Sequence, residues 1–200
     1  PATGKLAKSS GATLVPFRLE GGYLSKPRWA KSVRRGRVHG VPVRVYPPEE
    51  LKKMTAEEVN AAIERDISED AWQRQRESPA AYRGKRPAEG LERALYLCPA
   101  CGRIGTLQTK DDRVFCSCGF ETRYTETGFF SPEKPFATIA DWDAWQREKL
   151  LAGDYPHGVL LFSDSDTSLT RIDASHQEEH IGRGELLQYA DRLRCGGRDF

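Results

Sequence analysis

The sequence predicts an α+β chain assembled from several small parts, and three patterns carry that expectation. Residues 1–87 pass from short apolar, strand-like runs into a long charged helical stretch. Two close cysteine pairs, Cys98 with Cys101 and Cys116 with Cys118, flank a hairpin pattern within residues 91–131. A helical segment over residues 136–153 then leads into short β-like runs over residues 154–200, spaced as in an incomplete antiparallel domain.

The charged fraction of 30% against 38% hydrophobic describes a polar chain rather than a membrane one. No apolar run approaches the roughly 18–20 residues that cross a bilayer. A net charge of +2 argues against a dedicated nucleic-acid binder, whose domain would be strongly basic. The sequence opens on Pro1 and reaches Phe200 in what reads as mid-strand, so it is expected to be an interior piece of a longer protein.

At the start, Lys5 to Lys8 reads as a helix end stopped at Gly11, and Thr13 to Leu19 as a buried strand, together half of a βαβ unit. Gly21 and Gly22 break the chain. Arg37 to Tyr46 alternates like another strand, and Pro42 hints at an edge. Pro47 and Pro48 end it, and charged helices follow. Thr55 with Glu58 fits a capping box, and Ser68 to Ala71 can start a further helix carrying Trp72. Arg83 to Pro87 reads as a polar break between parts.

Ile104 to Gln108 and Arg113 to Phe115 are expected as hairpin strands with Asp111 and Asp112 at the turn, and Phe120 to Tyr124 as a third strand. Thr138 to Ala152 is expected as an amphipathic helix presenting Ile139, Trp142, Trp145 and Lys149 on one face, stopped at Gly153. Beyond it, Gly158 to Phe162, Ser168 to Ile172 and Gly184 to Tyr189 are expected as separate strands.

The cysteine pairs carry the clearest chemistry. Cys-x2-Cys followed by Gly102, and Cys-x-Cys followed by Gly119, bring four thiolates and the N–H groups of two tight turns toward one metal if the hairpin folds back. Cys98, Cys101, Cys116 and Cys118 are therefore the expected ligands of a structural Zn2+, with no open position for catalysis. Ligand type alone admits iron as well. The competing arrangement is two disulfides or four buried thiols. A module this short has little core of its own and would gain its fold from the ion. Cys195 is expected to be a free thiol without a role.

Lys26, Arg28, Lys31, Arg34, Arg35 and Arg37 form a run of cations with no intervening acid and with Trp29 inside it. Such a run suits an anionic membrane surface or a phosphate group before nucleic acid, because only one aromatic interleaves with the charges; the plain alternative is a solvated loop. The histidines, His39, His157, His176 and His180, fit no catalytic spacing, and no nucleophile elbow or phosphate loop is present. No catalytic residue is expected in the chain.

Read in order, Gly4-Lys-Leu-Ala-Lys-Ser-Ser-Gly-Ala-Thr-Leu-Val-Pro16 and the basic run resemble the later part of the acyltransferase domain of bacterial 1-acyl-sn-glycerol-3-phosphate acyltransferases. Tyr-Arg-Gly-Lys-Arg at 82–86, Glu-Gly-Leu-Glu at 89–92 and Leu-Cys-Pro-x-Cys-Gly-Arg-Ile-Gly-Thr at 97–106 resemble members of that family with a zinc ribbon and a β-rich tail. The resemblance implies a truncated α/β acyltransferase end over residues 1–87, a zinc ribbon over 91–131, a linking helix over 136–153 and the β domain over 154–200. It implies a parent enzyme that moves an acyl chain from acyl-CoA or an acyl-carrier protein to lysophosphatidate in phospholipid synthesis, in the cytoplasm at the inner face of the cell membrane. The family's His-x4-Asp and Glu-Gly-Thr-Arg blocks do not occur in these residues, so the piece itself is expected to be inactive. The alternative is a non-catalytic zinc-ribbon module that binds nucleic acid or protein.

Overall fold

The computed structural model describes residues 2–200, and Pro1, where the first expected part begins, lies outside the described residues. Among the described residues it is an α+β structure with six α-helices and three small antiparallel sheets. The chain divides into two compact units. The first comprises residues up to Leu91 together with Thr109–Val114 and Thr122–Ile139; the second comprises Glu92–Gln108, Phe115–Glu121 and Ala140–Phe200. Arg83 to Pro87, expected as a polar break, lies within the first unit and is held there. Arg83 pairs its backbone with that of Arg35, and Pro87 O accepts from a buried arginine.

In the first unit, helix α1 (Ala2–Ser9) packs on helix α4 (Ala56–Ile67). The approach is close enough that a Cβ on Gly4 would lie 2.2 Å from Ala56 O, and Gly4 N donates to Asn60 Oδ1 at 2.8 Å. Only glycine fits that contact. The capping box that starts α4 is formed, Glu58 N donating to Thr55 Oγ1 and Thr55 N to Glu58 Oε2. Helix α3 (Pro48–Lys53) precedes it with proline in the first turn, where no N–H is needed. Helix α5 (Ala71–Glu77) starts on Asp70, whose carboxylate accepts from Trp72 N and Gln73 N. Tyr46, Leu51, Val59 and Ala62 form one apolar core here, and Leu24, Ala71 and Tyr82 a second.

The expected buried strand at Thr13 to Leu19 is corrected. Leu14 makes only a bridge to Tyr46, and the strand proper is β1 (Phe17–Glu20), paired antiparallel with β2 (His39–Pro42). Pro16 supplies no N–H to continue a ladder. The two-residue period then turns Arg18 and Glu20 toward the covered face and leaves Phe17 and Leu19 exposed. The strand expected over Arg37 to Tyr46 shrinks to β2 for the same reason. A short helix α2 (Gly22–Ser25) follows the Gly21 break.

The ribbon sheet has the order β3–β4–β5–β6, with β3 (Leu107–Lys110), β4 (Arg113–Cys116), β5 (Glu121–Tyr124) and β6 (Phe130–Ser131). Asp111 takes a left-handed conformation in the expected turn.

Helix α6 (Ile139–Ala152) runs over the expected residues and buries Ile139 and Trp142 of the expected face, with Gln146 rather than Lys149 continuing the stripe and Trp145 half-buried. Gln146 is fully buried because its amide substitutes for missing backbone partners, accepting from Tyr96 N and donating to Ala94 O. The tail sheet has the order β10–β9–β8–β7. Its first two expected strands are one bulged strand, β7 (Leu160–Ile172), paired with β8 (Glu178–Tyr189); Ser165 and Asp166 sit in a bulge between the paired residues Asp164 and Thr167 and do not end the strand. Two short strands complete it, β9 (Leu193–Cys195) and β10 (Arg198–Asp199).

Candidate metal centre

Two tight turns of the second unit build the centre. In the first, Cys98 N donates to Arg103 O, Gly102 N donates to Cys98 O, and Gly102 is left-handed at φ 68°. In the second, Gly119 N donates to Cys116 O with Gly119 at φ 96°, and Cys116 N donates to Phe120 O. An L side chain at either glycine would be strained, so the residue after each cysteine pair is set by backbone geometry. Trp142 supports the first turn by donating from Nε1 to Leu97 O at 3.0 Å, and its ring meets Phe120 edge-on at 5.6 Å.

The four expected ligands converge. The Sγ atoms of Cys98, Cys101, Cys116 and Cys118 all lie within 4.8 Å of one another. Cys98 and Cys118 are 3.7 Å apart and Cys101 and Cys116 are 3.9 Å apart. Those separations exclude disulfides, whose sulfurs sit about 2.05 Å apart. They match the edge of a thiolate tetrahedron, about 3.8 Å when each metal–sulfur bond is about 2.3 Å.

Turn N–H groups point at the sulfurs. Cys98 Sγ accepts from the backbone of Cys101 and Ala100, Cys101 Sγ from the backbone of Arg103, and Cys116 Sγ from that of Cys118. Such bonds favour thiolate over thiol. Arg103 holds the Cys101 thiol down at about 6, and Cys116 is lowered chiefly by its contact with Thr106, whose Oγ1 is 3.2 Å away. Burial pushes the Cys98 thiol up to about 12. A cation is what would let that sulfur ionise, since a metal ligand must be deprotonated. Geometry and donor chemistry thus fit one metal ion.

No family model, curated protein or solved structure matches the chain.

The remaining expected residues lie apart from the thiols. Cys195 is a buried free thiol of β9 outside the cluster. Within the basic run, Lys26, Arg28, Lys31, Arg35 and Arg37 are exposed, whereas Arg34 is 4% exposed. Its guanidinium sits 4.7 Å from the Trp29 ring and 5.0 Å from the Tyr124 ring and donates to Pro87 O at 2.6 Å. Arg34 therefore leaves the set of side chains that could meet an anionic surface. A planar, weakly hydrated cation with a long apolar stem can be buried against aromatic faces, which charge counting along a sequence does not reveal.

Three of the four histidines find side-chain partners that linear spacing could not show. His39 Nε2 lies 3.1 Å from Glu20 Oε2, because the β1–β2 register puts those two residues opposite each other. His157 Nδ1 lies 3.4 Å from Asp191 Oδ2 and His180 Nδ1 lies 3.4 Å from Ser168 Oγ. Arg103 is the residue that the sequence reading missed at the centre itself. Its position two residues after Cys101 was the available signal.

Proposed function

We propose that this chain binds one Zn2+ as a structural ion through Cys98, Cys101, Cys116 and Cys118, and that it is a supporting part of an enzyme that transfers an acyl chain from a thioester to lysophosphatidate. The convergence of four sulfurs at tetrahedral spacing under turn N–H groups is the observation that carries the metal assignment. Four protein thiolates saturate the ion, so its role is to hold the two turns together and not to activate substrate. The acyltransferase half of the proposal rests on the ordered resemblance described above.

The exposed cations Lys26, Arg28, Lys31, Arg35 and Arg37 are interleaved with the exposed side chains of Val33 and Val38, at 68% and 48%. Apolar tips among cations favour an anionic lipid surface over a nucleic-acid backbone. No helix among the described residues is long and apolar enough to cross a membrane.

Elemental analysis of the purified chain should return one zinc per polypeptide, and chelation after thiol modification should abolish ordered signals from residues 98–118. A metal-free chain with an unchanged fold overturns the metal assignment. For the enzyme, the reading frame upstream of Pro1 should encode His-x4-Asp and Glu-Gly-Thr-Arg, and the isolated chain should transfer no acyl group to lysophosphatidate. An upstream frame without those blocks removes the acyltransferase reading and leaves a metal-binding module.

A further inference from the structure

A tetrathiolate centre with a divalent ion carries a formal charge of −2, and nothing in the cysteine spacing balances it. Arg103 does. Its backbone N–H donates to Cys101 Sγ, its side-chain Nε donates to the same sulfur at 3.5 Å, and its carbonyl accepts from Cys98 N at 3.1 Å. The far nitrogen of the guanidinium reaches Ser117 Oγ at 3.4 Å, inside the second cysteine pair. One residue thus touches both ligands of the first turn and spans to the second. Its carbonyl also lies 3.4 Å from Thr106 Oγ1, the hydroxyl next to Cys116 Sγ.

We infer that Arg103 is a positioning residue of the metal centre, whose guanidinium neutralises part of the thiolate charge and ties the Cys98–Cys101 turn to the Cys116–Cys118 turn. The inference rests on the metal assignment proposed above and adds to it a residue that coordinates nothing. Arginine suits the task better than lysine. Its rigid fork can hold a sulfur and a hydroxyl at once, while an ammonium offers a point charge. Outer partners of this kind tune affinity by holding ligands in place and by compensating charge, and their loss typically weakens metal binding by about 10- to 100-fold.

The test uses the full chain and Zn2+ in competition with a chromophoric chelator, followed by Co2+ substitution. Arg103→Ala should still bind one ion but about 10- to 100-fold more weakly. Its thiolate-to-Co2+ charge-transfer band should shift as the hydrogen bond to Cys101 is lost. Arg103→Lys should recover part of the affinity through charge alone, and Arg103→Gln should not. Because the side chain is exposed, these variants are expected to keep the wild-type circular dichroism. Wild type and Arg103→Ala agreeing within twofold, with identical Co2+ spectra, would overturn the inference and leave the metal site standing. A wild-type chain that binds no ion overturns both.

Discussion

Replacing Arg34 separates a structural arginine from its surface neighbours within a single run of cations. The side chain is buried between Trp29 and Tyr124 with its head on Pro87 O, and none of the ion pairs among the described residues involves it. Truncation to alanine removes the two buried stem methylenes beyond Cβ, about 1.6 kcal/mol at about 0.8 kcal/mol for each methylene. It also removes a charge-assisted hydrogen bond of about 1.5–3 kcal/mol and cation–π contacts of about 2 kcal/mol. Against this stands the desolvation of an unpaired guanidinium, several kcal/mol, which the variant no longer incurs. The net loss expected for Arg34→Ala is about 2–4 kcal/mol, a shift in urea midpoint of about 1–2 M for a slope near 2 kcal/mol/M. Arg34→Met restores the stem and should lose only about 1–2 kcal/mol. Unfolding is best followed by tryptophan fluorescence with zinc held saturating, so that metal loss does not contribute. Arg35→Ala, an exposed change one residue along, should leave the midpoint in place and instead weaken binding to anionic vesicles. An Arg34→Ala variant within about 0.5 kcal/mol of wild type, the range of ordinary surface changes, would refute the cage. So would Arg34→Ala and Arg35→Ala lowering vesicle binding equally with no change in stability.

Two further perturbations test the packing of the first unit. Asp66 is buried and accepts from Tyr46 Oη at 2.6 Å and from Arg65 Nε at 3.0 Å, and the tyrosine bond first, then the arginine, hold its carboxyl below the usual range. A group with a depressed folded value stabilises above its unfolded value, and that contribution is lost as pH falls through the folded one. Asp66→Asn should therefore cost about 1–2 kcal/mol at neutral pH, and urea titrations should show the gap to wild type closing in acid; a gap unchanged down to the acid limb would contradict the assigned network. Gly36→Ala should destabilise by about 1–3 kcal/mol or more, because a Cβ there would fall 2.1 Å from the Tyr82 ring, which is buried and anchored through its hydroxyl to Arg37 O. Pairing it with Tyr82→Leu should recover part of the loss in the same unfolding assay, and full additivity of the two changes would count against the clash.

What could be read from the sequence were features written in short-range chemistry. The Thr55–Glu58 capping box depends on residues three apart, and the cysteine pairs depend on tight turns closed by Gly102 and Gly119. Both signals survive whatever the rest of the chain does. The β7 strand was not legible as one element, since Asp164 to Asp166 look like a turn; the partner strand accommodates them by shifting register. On α6 Ile139 and Trp142 were legible as covered, but Gln146 was not, because a glutamine at a core position looks polar until its amide is seen to serve the backbone of Tyr96 and Ala94.

The basic run makes the same point about function. Six cations with no acid look equivalent along the sequence, and their summed charge suggests one role for all. Tertiary packing divides them. Trp29 lies within the run but Tyr124 and Pro87 arrive from far along the chain, so the cage that captures Arg34 can be seen only once those segments meet. Arg103 repeats the pattern at the thiolates: a surface arginine by composition, it becomes part of the centre because the turn that positions Cys101 also aims its guanidinium across to Ser117. In both places a cation's role follows from what it can reach in the fold. Charge-swap experiments on this chain should therefore be designed one arginine at a time, since neutralising the run as a block would remove the Arg34 cage together with any lipid contact and make an unfolded protein look like a lost binding site.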